Sequence, residues 1–348
     1  MAYSTISKPS LHFNTKLYTG NGGTQSITGV GFQPDWVWLK KRNSTADHGL
    51  YDAVRGVTKQ LYSNDAAAEA TNANSLTAFG TDGFSIGTSS MINGNSDTFA
   101  SWNWKANGAG SANTDGSINS TVSVNTTAGF SIVKWTGNAT TNQTVGHGLG
   151  AVPKVIITKN TNNASQPWKC YFSEVGNDKY LILNTTDAPS TSGFLYNTTP
   201  TNSLFTISND TGMNGSGNSI IAYCFAEKKG YSKFGSYTGN GSTNGTFVYT
   251  GFKPAFVLWK RTEDAGYDWD MYDTARDTHN VAFKEIMPNS NAAESSSTVL
   301  SLDILSNGFK LRTTNANGNG SGKPYIYMAF AEEPLVANVG AAIPATAR

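Results

Sequence analysis

The chain has 348 residues, enough for two or three domains with substantial cores. Asn, Ser, Thr and Gly make up about 42 % of it, charged residues only 14 %, and the formal net charge is +1. This balance excludes the basic surface of a nucleic-acid binder and the disorder of a highly charged chain. The 17 Phe, 15 Tyr and 8 Trp exclude a polar linker.

The first predicted elements form a unit of about 100 residues, which we call unit 1 (residues 12–106). Short runs rich in Val, Ile, Thr and aromatics alternate in it with Gly, Asn and Ser clusters, which is typical of strands joined by turns. Only short helices are predicted, near residues 51–60 and 65–70. The landmarks of unit 1 are the phrase Tyr18-Thr19-Gly20-Asn21, the strand from Pro34 to Lys40, Tyr51, Phe84, and the closing strand SWNWKA with Trp104.

The same landmarks recur twice further along the chain, in unit 2 (residues 129–227) and unit 3 (residues 231–335). The proline and the lysine are six residues apart in all three units, and the tyrosine follows the lysine after 11 or 12 residues. Such self-similarity predicts a triplicated supersecondary unit. The equivalents are Trp135, Pro153, Lys159, Tyr171, Phe205 and Phe225 in unit 2, and Tyr237, Pro254, Lys260, Tyr272, Phe309 and Phe330 in unit 3.

The predicted fold is therefore all-β, with three tandem homologous sandwiches of the jelly-roll or lectin-like kind. The Pro–Lys strands are apolar on both faces, which indicates burial between two layers. The predicted domains are residues 1–106, 129–227 and 231–335. Residues 107–128 are a polar linker in which Thr121–Val124 could add an edge strand, and residues 336–348 are a C-terminal tail that we expect to pack on a neighbour.

Aspartates cluster in unit 3, at Asp264, Asp268, Asp270 and Asp273. Two carboxylates at the right separation could hydrolyse a glycan, and six to eight oxygens could hold a structural calcium ion. Aspartates in Gly-rich connections more often accept turn hydrogen bonds. We therefore predict no enzyme activity and no cofactor, and keep calcium as an alternative.

Units 1 and 3 share the pattern Tyr-Asp-x-x-Arg, which supplies Asp52 with Arg55 and Asp273 with Arg276. Unit 2 lacks both residues. An Asp–Arg bond that pins a loop against the rim of the sandwich is the interpretation we favour over a ligand contact, although either role would tolerate loss from one unit.

Most tryptophans occupy positions that are apolar in the other units, so core packing explains them better than stacking on sugars. Trp269, with Tyr267 and Asp270, is the better candidate for a surface contact, because the same neighbourhood of unit 1 holds only His48 and Gly49. The four histidines have no metal-ligand spacing.

The phrases GHGLGAVPKVIITKN, DILSNGFKLRT and the closing ATAR resemble a family of virion structural proteins of tailed bacteriophages, notably marine ones, that is labelled tail-fibre-like or lectin-like. The resemblance extends from about residue 12 to the C-terminus and is strongest over residues 220–335. It implies assembly in the host cytosol, which agrees with the absence of a secretory signal in residues 1–10, and it maps no site residue.

These observations lead us to expect a non-enzymatic, tail-associated virion protein whose loops contact glycans of the host surface. A capsid decoration protein or a purely architectural tail protein is the alternative, and a polysaccharide depolymerase is the third candidate. We expect contacts with other virion proteins, a homo-oligomer such as a trimer, no nucleic-acid partner and no membrane insertion.

Overall fold

The structure is a computed structural model that describes residue 4 and residues 6–191, 193–195 and 197–334. Nearly all of its regular structure is β-strand, and the strands pair into antiparallel sheets that pack as sandwiches. The predicted all-β class is therefore confirmed. The predicted C-terminal tail, residues 336–348, lies outside the described residues.

Helix is confined to short turns in the part of the chain that the structure describes. These are a 3-10 turn at Pro9–Leu11 and two α-helices, α1 (Ser90–Asn93) and α2 (Thr211–Asn214). None of them is long and apolar enough to cross a membrane. The short helices predicted near residues 51–60 and 65–70 are wrong. Strand pairing occupies both ends of the first stretch and turns fill most of its middle, whereas residues 65–69 have no regular structure and Ala70 pairs with Gln60.

Unit 1 contains a four-stranded sheet in the order β1-β9-β3-β4 and a three-stranded sheet in the order β2-β8-β7. Polar turns separate its strands. Some strands alternate between buried and exposed residues, and others are buried on both faces. The strands are β1 (Phe13–Thr19), β2 (Gln25–Thr28), β3 (Trp36–Lys41), β4 (Gly49–Asp52), β5 (Lys59–Gln60), β6 (Ala70–Thr71), β7 (Leu76–Gly80), β8 (Gly83–Ile86) and β9 (Thr98–Trp104).

The predicted linker, residues 107–128, is part of the β-structure. It provides β10 (Ser111–Asn113) and β11 (Ser120–Asn125), and β11 pairs with the first strand of unit 2. Val122 and Ile118 are buried, so this segment is fixed to unit 2 by packing as well as by strand pairing.

Unit 2 contains an eight-stranded sheet in the order β10-β11-β12-β19-β14-β15-β16-β17, with a smaller pair, β13-β18, against it. The linker strands, together with the pairing of β15 with β16 and of β16 with β17, extend this sheet beyond four strands. The strands are β12 (Phe130–Thr136), β13 (Gln143–Gly146), β14 (Val155–Asn160), β15 (Lys169–Phe172), β16 (Lys179–Ile182), β17 (Ser190–Thr191), β18 (Leu204–Ile207) and β19 (Ser219–Phe225).

Unit 3 contains a four-stranded sheet in the order β20-β26-β22-β23 and a three-stranded sheet in the order β21-β25-β24. In each unit the closing strand thus lies between the opening strand and the Pro–Lys strand, and the tyrosine strand follows. The strands are β20 (Ser232–Thr238), β21 (Phe247–Tyr249), β22 (Phe252–Arg261), β23 (Trp269–Asp273), β24 (Leu302–Leu305), β25 (Gly308–Leu311) and β26 (Pro324–Pro334).

The three sandwiches share one central core. Each has a hydrophobic cluster between its own two sheets, and a further cluster contains buried side chains from all three units. Aromatic rings close that central cluster: Trp36 stacks on Tyr223 with centroids 4.2 Å apart, and Phe330 lies 5.1 Å from Phe13 and 5.8 Å from Phe225. The three tandem sequences therefore form one ring of sandwiches.

Candidate functional site

The Asp–Arg pairs of units 1 and 3 face the neighbouring unit. Arg55 Nε donates to Asp52 Oδ2 at 2.5 Å, and Arg276 Nε donates to Asp273 Oδ2 at 2.5 Å. Each arginine also donates to a backbone carbonyl of its own tyrosine strand, at Leu50 and at Met271. The pairs thus lie inside the molecule, fixing the turn after the tyrosine strand.

A ring from the next unit completes each pair. The hydroxyl of Tyr223 in unit 2 donates to Asp52 Oδ2 at 2.8 Å, and the indole Nε1 of Trp102 in unit 1 donates to Asp273 Oδ2 at 3.0 Å. Tyr223 and Trp102 stand at the same position of their closing strands, two residues before Phe225 and Trp104. We call these contacts the 1/2 junction and the 1/3 junction.

The 2/3 junction has apolar residues at the same three positions. Phe172 stands where units 1 and 3 have aspartate, Val175 where they have arginine, and Met328 where the neighbour presents Tyr223 or Trp102. Phe172 and Met328 are buried in the central cluster and Val175 packs against it. The donor ring is therefore absent from the junction that lacks the carboxylate.

Burial alone would disfavour the charge on Arg55 and Arg276. The adjacent carboxylates outweigh that penalty, so the pKa of each guanidinium is raised and both stay protonated. Glu69 supports Arg55, and Glu294 supports Arg276 while also bonding Arg42 of unit 1. Both junctions thus contain a buried charge whose partners come from more than one segment.

A second set of hydrogen bonds repeats at all three junctions. Trp168 donates from Nε1 to the Tyr62 carbonyl at 2.7 Å, and Trp269 donates to the Ile182 carbonyl at 3.0 Å. In unit 1 the equivalent residue is His48, whose Nε2 lies 3.1 Å from the Met287 carbonyl. The three contacts run from unit 2 to 1, from 3 to 2 and from 1 to 3, so they close a ring.

His48 is held neutral in this position. Trp38 Nε1 donates to His48 Nδ1 at 2.8 Å, which leaves Nε2 as the atom that carries the proton towards Met287. Desolvation, followed by the positive charge of Lys40, lowers the pKa of His48 well below 6.5.

The lysine that ends each Pro–Lys strand also crosses a junction. Each ammonium donates to a carbonyl of its own loop and to one of the neighbouring unit, and burial lowers the pKa of each lysine to about 8. The inter-unit bonds are Lys40 to Asn291 at 3.1 Å, Lys159 to Ala66 at 2.8 Å and Lys260 to Thr186 at 3.2 Å.

Sequence reasoning missed a buried asparagine in each unit. In unit 1, Asn93 accepts from the backbone N–H of Asn21 at 3.0 Å and donates to the Gly23 carbonyl at 2.5 Å, so it holds the turn of the opening phrase. Gly20 is needed there because a Cβ would lie 2.2 Å from the Gly94 carbonyl oxygen. The signal was an Asn-Gly pair whose Asn lies 11 residues before the landmark aromatic of the closing strand: Asn93, Asn214 and Asn319.

The predicted surface contact of unit 3 is placed differently by the structure. Trp269 and Asp270 are buried, because Trp269 serves the 2/3 junction and Asp270 faces Trp259 across two paired strands. Neither is free for a surface contact of the kind we predicted. Tyr267 is half-buried and lines a cavity of about 490 Å³, together with Asp268 and Glu285.

The aspartates of unit 3 do not converge on one point. Asp264 pairs with Arg261, Asp273 with Arg276, and Asp268 accepts from Asn289 at 2.7 Å. Among the described residues no group of three His, Cys, Asp or Glu side chains could hold a metal ion. These aspartates therefore do not form the set of oxygen ligands that a structural calcium ion would need.

Comparison with protein-family models finds a match over nearly the whole chain. The family model described as Domain of unknown function (DUF7483) matches residues 8–334, which include units 1 and 2 and all but the last residue of unit 3. No curated protein and no solved structure matches the chain.

Proposed function

This chain belongs to the DUF7483 family, and we propose that it is a non-enzymatic structural protein of a tailed-bacteriophage virion. It is a tail component, assembled in the host cytoplasm with other virion proteins, and its loops contact glycans of the host surface. The source of the phage assignment is the resemblance of the phrases in units 2 and 3 to virion proteins.

One observation carries the structural role. The side chains best suited to acid–base chemistry are the buried Asp–Arg pairs, the lysines and His48. They are hydrogen-bonded across the junctions between units. Their hydrogen bonds are satisfied by fixed neighbours, which suits a rigid scaffold and leaves them poorly placed to act on a substrate.

The exterior suits contact with sugars. The turns that follow the opening strands, residues 21–24, 138–142 and 240–244, are largely exposed and contain mainly Asn, Gly, Ser and Thr. Such side chains offer hydrogen-bond donors and acceptors without a strong net charge. They match the hydroxyl groups of a glycan.

Localisation of the chain in the virion tests the proposal. We expect a cryo-EM map of phage particles to contain the ring of three sandwiches at the distal tail, and purified protein to reduce adsorption of phage to host cells. A virion that lacks the chain would overturn the structural role. Failure of the protein to bind host cells or to block adsorption would overturn the glycan contact alone.

Capsid decoration is the second candidate, and the ring itself favours it. Three similar sandwiches around one core present a roughly three-fold set of loops, which would suit a three-fold position of a capsid lattice. Density on capsid lattice positions in the same map would replace the tail assignment with this one.

A further inference from the structure

The cavity beside Tyr267 in unit 3 corresponds to a space that the other units fill. Two residues before the landmark tyrosine, unit 3 has Asp270 and unit 2 has Lys169. Lys169 extends its ammonium to Asp210, with Nζ 2.5 Å from Oδ1. The equivalent of Asp210 in unit 3 is Asn315, which lines the open cavity. Unit 2 therefore places a cation where unit 3 has an opening.

Unit 1 fills the same space with an apolar group. Its equivalent of Asp270 is Gly49, and a Cβ there would lie 3.0 Å from the terminal methyl carbon of Met91. The equivalent of Met91 in unit 3 is Asn317. At these equivalent positions, among the residues that the structure describes, unit 3 combines an open cavity with acidic and amide side chains and the other units do not.

The carboxyl groups of unit 3 surround this cavity on the inner side. Asp268 and Glu285 line it, and Asp270 lies behind them with Oδ2 bonded to Asn317 at 2.6 Å. Asp270 is fully buried, and its Oδ1 has no hydrogen-bond partner. Burial, and then the neighbouring Glu285 and Asp268, raise the pKa of Asp270 well above its ordinary value. Asp270 is therefore held as the neutral acid, and Asp268 and Glu285 are the acidic groups that face the cavity.

Lys260 does not line the cavity. The ammonium of Lys260 faces the same carboxylates, but it donates to the carbonyls of Thr186 and Tyr267. Arg261 lies over the ring of Tyr267, with its guanidinium carbon 3.9 Å from the centroid, and is bonded to Asp264. These cations hold the loop and leave the cavity open.

We propose that this cavity binds an amino sugar, with the ammonium group of the ligand beside Asp268 and Glu285. The ammonium takes the role that the Lys169 side chain plays in unit 2, and the sugar hydroxyls bond to Asn315, Asn317 and Ser297. A cavity of about 490 Å³ has room for one or two sugar residues. The inference rests on the proposed glycan contact for the source of the ligand.

Calorimetric titration of the full chain with three matched sugars tests the ligand class. We expect glucosamine to bind, and glucose and N-acetylglucosamine to bind at least tenfold more weakly, because neither neutral sugar carries an ammonium group. Equal binding of the three sugars, or no binding of glucosamine, would overturn the inference. Equally tight binding of Nα-acetyl-lysine amide or of calcium would also overturn it, because the sugar would then be irrelevant.

Variants locate the site. Asp270→Lys combined with Asn315→Asp transfers the lysine–aspartate pair of unit 2 into unit 3, and we expect it to abolish glucosamine binding by filling the cavity. Glu285→Gln is a milder variant that should weaken binding about tenfold if the double variant fails to fold. Asp178→Asn, which removes an exposed carboxylate of unit 2, is the control and should leave affinity unchanged. Unchanged binding in Glu285→Gln would place the ligand elsewhere.

The outcomes separate this inference from the proposed function. If the chain lies at the tail tip but does not bind glucosamine, the amino-sugar site is overturned and the virion role stands. If the chain binds glucosamine at this cavity but is absent from virions, the virion role is overturned and the sugar site stands.

Discussion

The 1/2 and 1/3 junctions differ from the 2/3 junction in polarity although the surrounding strands are equivalent. The first two bury an aspartate, an arginine and a donor ring, as at Asp52, Arg55 and Tyr223. The third buries Phe172 and Met328, with Val175 packed against them. All three positions change together, so within a junction these three positions are either all polar or all apolar.

Unit 2 lacks the Asp–Arg pair, and the neighbouring unit lacks the donor ring that would complete it. Replacing a complete buried ion pair by apolar groups of similar volume is often neutral or stabilising, whereas removing one partner leaves an uncompensated charge. A single change from the polar to the apolar set is therefore costly, and the full exchange is tolerated.

The largest effect is expected from Asp52→Ala. The substitution leaves the buried Arg55 without its main partner and should lower the free energy of unfolding by about 3–5 kcal/mol. Urea unfolding at pH 7 measures this. The exchange Asp52→Phe, Arg55→Val and Tyr223→Met reproduces the residues of the 2/3 junction and should be more stable than the single variant. A triple variant less stable than Asp52→Ala would contradict the comparison.

The strands of the three units were predictable because their signals are local. Alternation, Pro at the start of a strand and Gly-rich turns mark β3, β14 and β22 whatever lies opposite them. Which unit each apolar face meets was not predictable, since the sequence shows that Trp36 is apolar but not that its partner is Tyr223. The ring and its shared core come from long-range packing.

The surroundings of the site residues could likewise not be predicted from local sequence signals. Tyr267 and Asp270 were predicted together as a surface contact, but Tyr267 lines a cavity and Asp270 is fully buried. Its burial depends on Asn317 and Glu285, which come from other segments of unit 3. The asparagine of the Asn-Gly pair, by contrast, had a constant spacing to the closing strand and could have been found.

A smaller effect is expected from Tyr223→Phe. It removes only the hydroxyl that donates to Asp52, a bond to a charged group, and should lower the free energy of unfolding by about 1.5–3 kcal/mol. Met328→Leu at the equivalent position of the 2/3 junction is the matched control and should cost under about 1.5 kcal/mol, because no hydrogen bond is lost there. Equal losses in the two variants would mean that the hydroxyl contributes nothing to the 1/2 junction.

The smallest effect concerns pH and the 1/3 junction, where His48 replaces the tryptophan found in units 2 and 3. The pKa of His48 in the folded protein lies well below 6.5. At a pH between that pKa and 6.5, the unfolded chain therefore binds the proton and the folded chain does not. The stability that neutral His48 contributes is complete above pH 6.5 and is lost as the pH falls below it, by at most about 1.4 kcal/mol per pH unit. Protonation would place a hydrogen on Nδ1, against the Trp38 indole N–H.

His48→Gln tests this directly, because glutamine can accept from Trp38 and donate to Met287 but does not titrate. Urea unfolding from pH 7.5 to 5 should give a shallower loss of stability in the variant than in the unaltered chain. His147 remains in both proteins, and since burial lowers its pKa to about 4 it contributes the same acid loss to each. Identical slopes would show that the 1/3 junction is indifferent to protonation of His48, and that histidine there is only a smaller substitute for Trp168 and Trp269.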